Sequence, residues 1–198
     1  MKNTIKICSL VYTYLFFSTI SAYSQSITSG IYMTYRDYSN QEMKYAINCD
    51  NESHKIRPHG TWRGDKFVVD HDGERFSYER SEIFGYKDCY GKDWRVFGDY
   101  EYLIKEAKSL IIYERYKHEN VTIDDDPILP TYHFSIGNGD IQELTLMNLK
   151  KAFPEEHAFH DKLDETFTGG RVAASYDKYH KTYKVNRVFA NTVKSKNK

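Results

Sequence analysis

Between residues 30 and 136 the chain breaks into short runs of alternating apolar and polar side chains, with turn residues recurring about every ten positions. This pattern constrains the fold more than any other feature, because a period of two suits half-buried pleated strands and not helices. Residues 30–35 form the first run, followed by a polar loop around Ser39 and Asn40. Residues 43–49 and 54–59 are weaker strands, parted by Asp50-Asn51-Glu52-Ser53. Residues 66–70 and 75–79 flank His71-Asp72-Gly73-Glu74. Asp-Gly between two such runs predicts a tight hairpin, since the turn requires positive φ and glycine adopts it at no steric cost. Residues 83–87 and 94–97 flank Asp88-Cys89-Tyr90-Gly91-Lys92, a second hairpin. Residues 100–106 and 110–116 close on Ala107-Lys108-Ser109, and 131–136 is the last strand. The reading is mainly β with α, an α+β chain whose antiparallel β-sandwich or barrel of about 8–10 short strands precedes two or three C-terminal helices.

The period changes at Asn138-Gly139-Asp140. Thr145 is a candidate N-cap, with Leu144 and Leu149 placed as a hydrophobic staple. Leu146, Leu149 and Phe153 mark one helical face, and Pro154 ends that helix and begins another. Phe159, Leu163 and Phe167 recur at i, i+4, i+8, and Gly169-Gly170 supplies a C-terminal cap. Val172, Tyr176, Tyr179 and Tyr183 suggest a third helix, although Tyr183-Lys184-Val185 equally begins a strand. From Arg171 onward there are eight Lys or Arg against one acid, Asp177, which reads as a solvated face and basic tail.

The first 24 residues read as a secretory signal peptide. Lys2 and Lys6 precede an uncharged apolar run over 7–20, and Ala22 and Ser24 occupy the −3 and −1 positions of a cleavage site before Gln25. The run is shorter than the ~20 residues that span a bilayer. The organisation expected is therefore signal peptide 1–24, β domain 25–137 and helical segment 138–198 packed on it. The mature chain is expected to be exported, to the periplasm, the cell surface or the medium, with no membrane span of its own.

Of 28 basic residues two leave with the signal and no acid does, so 26 face 28 acids. Near-neutral charge argues against nucleic-acid binding, which relies on clustered positive charge. Tyrosine is the outlier: 18 Tyr accompany 11 Phe and 2 Trp. Aromatic side chains suit sheet surfaces, so tyrosine-rich strands packing a sandwich account for the excess; tyrosine also joins an apolar ring to a polar tip, which suits surfaces that bind sugars or other partners. After processing only Cys49 and Cys89 remain. In an oxidising compartment two cysteines pair, and a bridge closing some 40 residues would contribute about 3–4 kcal/mol. Two unpaired thiols are the alternative.

Four stretches resemble small secreted β-rich proteins of unknown function from Bacteroidota. They are Ser29-Gly30-Ile31-Tyr32-Met33-Thr34-Tyr35, Gly85-Tyr86-Lys87-Asp88, the run from Trp94 to Tyr102, and Leu144-Thr145 through Phe153-Pro154. The resemblance implies a β-rich fold and an extracytoplasmic compartment, and it carries no activity or catalytic residue.

No local signature of chemistry stands out. His157, His160, Asp161 and Asp164 fall within about 100° of arc on one predicted helix, where imidazole and carboxylate one turn apart can chelate a divalent metal. The alternative is an exposed face with local ion pairs. Asp70 to Glu74 lacks the spaced ligands of an EF-hand loop and reads as a hairpin. Asp124-Asp125-Asp126 reads as an acidic linker. There is no Gly-x-Ser-x-Gly elbow, His-Glu-x-x-His pair or Gly-rich phosphate loop, and no cofactor is called for. Carboxylate pairs of glycosidases leave no local trace. Aromatics offer a ligand platform, with Trp62 in a loop and Tyr90 and Trp94 at one hairpin as the candidates. The expected role is a non-enzymatic binding or structural module taking a glycan, peptidoglycan or an envelope protein. A small hydrolase with its site between sheet and helices, or a subunit of an envelope assembly, is the alternative.

Overall fold

The alternating runs pair as antiparallel strands in a computed structural model that describes residues 26–59, 66–116, 130–168 and 175–193. In chain order these are β1 (Thr28–Tyr32), helix α1 (Tyr35–Asn40), β2 (Lys44–Asn48), β3 (Lys55–Arg57), β4 (Lys66–His71) and β5 (Glu74–Glu79). A single 3-10 turn (Arg80–Glu82) leads to β6 (Gly85–Lys87), β7 (Asp93–Phe97), β8 (Tyr100–Ala107), β9 (Ile111–Arg115), β10 (Thr131–Ser135) and β11 (Gln142–Glu143). Then come α2 (Leu146–Ala152), α3 (His157–Thr166), β12 (Tyr176–Asp177), β13 (Thr182–Tyr183) and α4 (Lys184–Thr192). Eight strands form one open sheet in the order β11-β10-β9-β8-β7-β6-β1-β2, and β3-β4-β5 form a second sheet. The result is α+β and sandwich-like, without barrel closure.

The predicted hairpins form for the expected reasons. Asp72 (φ 51°) and Gly73 (φ 81°) make the two-residue turn between β4 and β5, with His71 opposite Glu74. At the β6–β7 turn Asp88 Oδ1 accepts the N–H groups of Tyr90 and Lys92, each at 2.9 Å, and Gly91 supplies the positive φ. Thr145 caps α2 by accepting the Asn148 N–H at 3.1 Å, and Phe159, Leu163 and Phe167 are all buried. Cys49, just after β2, and Cys89, in the β6–β7 turn, form a disulfide with Cα atoms 5.6 Å apart. It links the two strands that flank β1.

Two expectations are corrected. The polar loop around Ser39 is the short helix α1, because Thr34 and Asp37 make a reciprocal capping box: Thr34 Oγ1 accepts the Asp37 N–H and Asp37 Oδ2 accepts the Thr34 N–H. Its Tyr38 stacks on Phe84 and meets Tyr32 edge-on. The third C-terminal helix starts at Lys184 and not before. Asp177 takes the Tyr179 and His180 N–H groups and bends 176–183 into the β12–β13 hairpin. The signal peptide with its cleavage residues Ala22, Ser24 and Gln25, the Asp124–Asp126 acidic run, the Gly169-Gly170 cap and Trp62 lie outside the described residues.

Both faces of the large sheet are covered. On one face, Ile31, Ile83 and Val96 pack on Phe67 and Val69 of the second sheet. Farther along that face Leu110, Ile112 and Phe134 pack on Leu149, Phe159, Leu163, Val185 and Phe189 of the helices. The opposite face carries Tyr32, Tyr102, Tyr113 and Ile111, covered by Tyr35 and Tyr38 of α1 and by Ile141.

The helical layer is pinned to the sheet by Asn186, 2% exposed on α4. Its Oδ1 accepts the Leu110 N–H (2.8 Å), and its Nδ2 donates to Leu110 O (3.0 Å) and Glu106 Oε2 (2.7 Å). Burial would raise the Glu106 pKa, but the donors around it, Lys108, Asn186, Thr182 and the Tyr183 N–H, hold it below the ordinary value. Replacing Asn186 with Ala strands a buried amide, and we expect a loss of about 2–3 kcal/mol in urea unfolding. The β12–β13 turn is sensitive to acid. Asp177 is held at a pKa of about 2 by the His180 N–H, the His180 ring and Arg187. A carboxyl whose folded pKa lies below its unfolded value stabilises the fold above the unfolded pKa, and that contribution fades as pH falls from about 4 towards 2. The Asp177→Asn variant should therefore melt below the parent at pH 7 and converge with it near pH 2; a gap that stays constant with pH would contradict this.

Candidate functional site

One row of directly opposed residues crosses six strands of the large sheet: Ile31, Tyr86, Trp94, Leu103, Glu114 and Tyr132. Opposed residues share a face. The ends of the row are covered, Ile31 by the second sheet and Tyr132 by the helices. Trp94 and Leu103 belong to neither cluster, and there the two covers leave a cleft of about 370 Å³. Tyr86, Trp94, Glu101 and Glu114 line it from the sheet, His59 from beyond β3, and Asp99, Tyr100, Arg115 and Tyr116 close its end.

The aromatic wall is braced on both sides. Tyr86 and Trp94 stack at a centroid separation of 6.2 Å and 11° between planes, and Tyr86 leans on Phe67 at 5.8 Å. Trp94 Nε1 donates to Asp88 Oδ2 at 2.9 Å, which fixes the indole against the β6–β7 turn. A side chain at Gly85 would bring its Cβ within 2.0 Å of the Trp94 carbonyl, so the glycine is what permits these strands to approach. At the far end the Arg115 guanidinium lies 3.7 Å over the Tyr100 ring.

The polar groups are equally committed. Arg80 Nη2 donates to Glu101 Oε1 at 2.6 Å, and the His59 ring stands 3.1 Å from Glu101 Oε2. Glu114 Oε2 accepts from Tyr132 OH at 3.2 Å and pairs with Lys105 at 3.3 Å. Lys105, two residues from the opposed Leu103, shares the Glu114 face, and a bulge between Ile104 and Glu106 brings Glu106 to that face as well. Burial raises the phenol pKa of Tyr86, as do the Glu101 and Asp88 charges; Glu114 raises that of Tyr116. Both phenols stay neutral hydrogen-bonding groups at the cleft.

Of the residues singled out from sequence, Trp94 is a wall of this cleft. Tyr90 sits on the adjacent turn, 85% exposed and outside the lining. The α3 set is not brought together. His160 Nε2 lies 2.8 Å from the Phe153 carbonyl, Asp164 is held by Lys150 at 2.7 Å, and the His157 and His160 rings are 6.0 Å apart edge to face. Among the described residues no group of three or more His, Cys, Asp or Glu is arranged to hold a metal, Asp161 included. Sequence reasoning missed Tyr100, Glu101, Glu114, Arg115 and His59. Their spacing within each strand carries no sign of convergence, because only cross-strand register unites them.

No family model, no curated protein and no solved structure matches this chain. Among the described residues no helix is long and apolar enough to cross a membrane.

The geometry makes Asp88 the support of the wall. In a Trp62→Phe background, where Trp94 is the remaining tryptophan, Asp88→Ala should shift its emission to the red and cost about 1–3 kcal/mol in stability. An unshifted spectrum would show that the turn does not hold the indole.

Proposed function

We propose that this protein is an exported, non-enzymatic binding module that takes a sugar ring of a glycan or of peptidoglycan in the cleft walled by Tyr86 and Trp94. The observation that carries the reading is the combination within one concavity of a stacked aromatic pair, a third ring under a guanidinium, and two anchored carboxylates. A pyranose has an apolar C–H face and a rim of hydroxyls. An indole face meets the first, and Glu101, Glu114 and Arg115 meet the second. Export is supported by the leader-like residues 1–24 and by the Cys49–Cys89 disulfide, which suits an oxidising compartment. The endpoint is the periplasm, the cell surface or the medium, as the resemblance to secreted Bacteroidota proteins implies.

Hydrolysis is the second reading, and one observation favours it: Glu101 and Glu114 line the same cleft. Against it, each carboxylate already faces a cation, Arg80 for Glu101 and Lys105 for Glu114. Neither is placed as a free proton donor.

The test is a calorimetric and array screen against glycans and peptidoglycan fragments, with products analysed for new reducing ends. We expect saturable binding without turnover, and a loss of affinity of about tenfold or more in Trp94→Ala. Release of reducing ends would replace the module by the hydrolase, and no binding across the whole panel would remove the sugar assignment.

A further inference from the structure

The charge least expected in this fold is Arg95. It sits in mid-strand on β7, opposite Tyr102, with 3% of its surface exposed. Among the described residues no carboxylate lies within ion-pair distance of it. Its neighbours are neutral: Nη1 donates to Tyr113 OH (3.0 Å), Ser135 Oγ (3.2 Å) and Gly137 O (3.4 Å), and Nη2 to Asn138 O (3.2 Å) and Gly139 O (3.0 Å). The rings of Phe84, Phe97 and Tyr113 surround the guanidinium at 4.9, 5.4 and 5.9 Å. Its Nε–H is buried without a hydrogen-bond partner.

Arginine keeps its charge in any protein environment, and a buried unit charge without a counter-ion is costly. The one acidic proton within reach is the Tyr113 phenol. Burial raises its pKa more than Arg95 lowers it, so Tyr113 is not a tyrosinate counter-ion. Arg95 also borders a cavity of about 400 Å³ whose lining includes Met33, Tyr35, Phe84 and Phe97, with Ser81 and Thr34. Arg80, the other buried guanidinium in the lining, is already taken by Glu101, Gly98 O and Pro58 O. Among the described residues Arg95 is thus the cation without a carboxylate partner, in a pocket that joins apolar side chains (Met33, Ile83, Phe84, Val96, Phe97) to polar ones (Thr34, Ser81, Asn138). Such a pocket matches a ligand with a negative head and an apolar body.

We propose that this cavity binds a small organic carboxylate, the carboxylate supplying the missing counter-charge to Arg95 and the body lying among Met33, Phe84 and Phe97. The site is separate from the sugar cleft and does not depend on it. The structural alternative is that the carbonyls of 137–139 and the rings suffice, and that Arg95 serves only to tie that loop to the sheet.

The full chain, melted at constant ionic strength in the presence of benzoate, hexanoate, sulfate, phosphate or chloride, separates the two, with benzamide and benzyl alcohol as neutral controls. The expected result is a saturable rise of about 3 °C or more at ten times the dissociation constant for the carboxylates, absent for the neutral controls. Because Arg95→Gln removes several buried hydrogen bonds and risks unfolding the chain, the matched variant is Ser81→Trp. Ser81 is an exposed residue of the cavity lining, and a tryptophan there adds bulk at the lining while leaving every hydrogen-bond partner of Arg95 unsubstituted. In Ser81→Trp the carboxylate response should disappear. A parent protein that responds to no carboxylate, an equal response to the neutral controls, or a response unchanged in Ser81→Trp would each overturn the site. A response to sulfate and phosphate alone would overturn the organic-acid assignment.

Discussion

Register across β6 to β10 decides which side chains of this protein can meet, since opposed residues share a face and a one-residue slip would exchange the two faces. With the observed pairing, Trp94 faces Leu103, which faces Glu114, while Arg95 points the other way beside Tyr102. Trp94 of the aromatic cleft and Arg95 of the arginine pocket are therefore adjacent residues of one strand whose side chains leave opposite faces of the sheet. The bulge at Lys105 belongs to the same arrangement. It lets Glu106 reach α4 from the position next to Lys105, which pairs with Glu114.

Buried charge is handled in three ways along this sheet. Arg80 has a carboxylate, Glu114 has a lysine and a phenol, and Arg95 has, among the described residues, only dipoles and ring faces. The first two are self-contained, so removing one partner exposes the penalty of the other. The third leaves net charge inside the fold, balanced among the described residues only by hydroxyls, carbonyls and ring faces.

Much of the architecture was legible locally. The Asp72-Gly73 and Asp88–Gly91 turns, the Thr145 cap and the Phe159/Leu163/Phe167 stripe are short-range devices, and each formed where its residues stood. Two local devices were overlooked. Thr34-x-x-Asp37 is a capping box that starts α1 inside an apparent loop. Asp177 turns the tyrosine-rich 176–183 segment into a hairpin, although its i, i+3 and i+7 tyrosines read as a helix. In both cases one aspartate hydrogen-bonding the backbone outweighed residue periodicity. The pairing of Cys49 with Cys89 was left open by the sequence, because their proximity depends on β2 and β6 both flanking β1.

By itself the sequence determined that the chain would be strand-rich, where its hairpins turn and where its helical segment begins, since these follow from contacts within a few residues. Tertiary structure alone decided that Tyr86 and Trp94 would share a cleft with Glu101, Glu114 and Arg115, that Arg95 would be buried with no acid beside it among the described residues, and that α3 would not gather its histidines and aspartates. Such encounters depend on pairing register and on which layer covers which half of a face, and both are settled by the packing of the whole core.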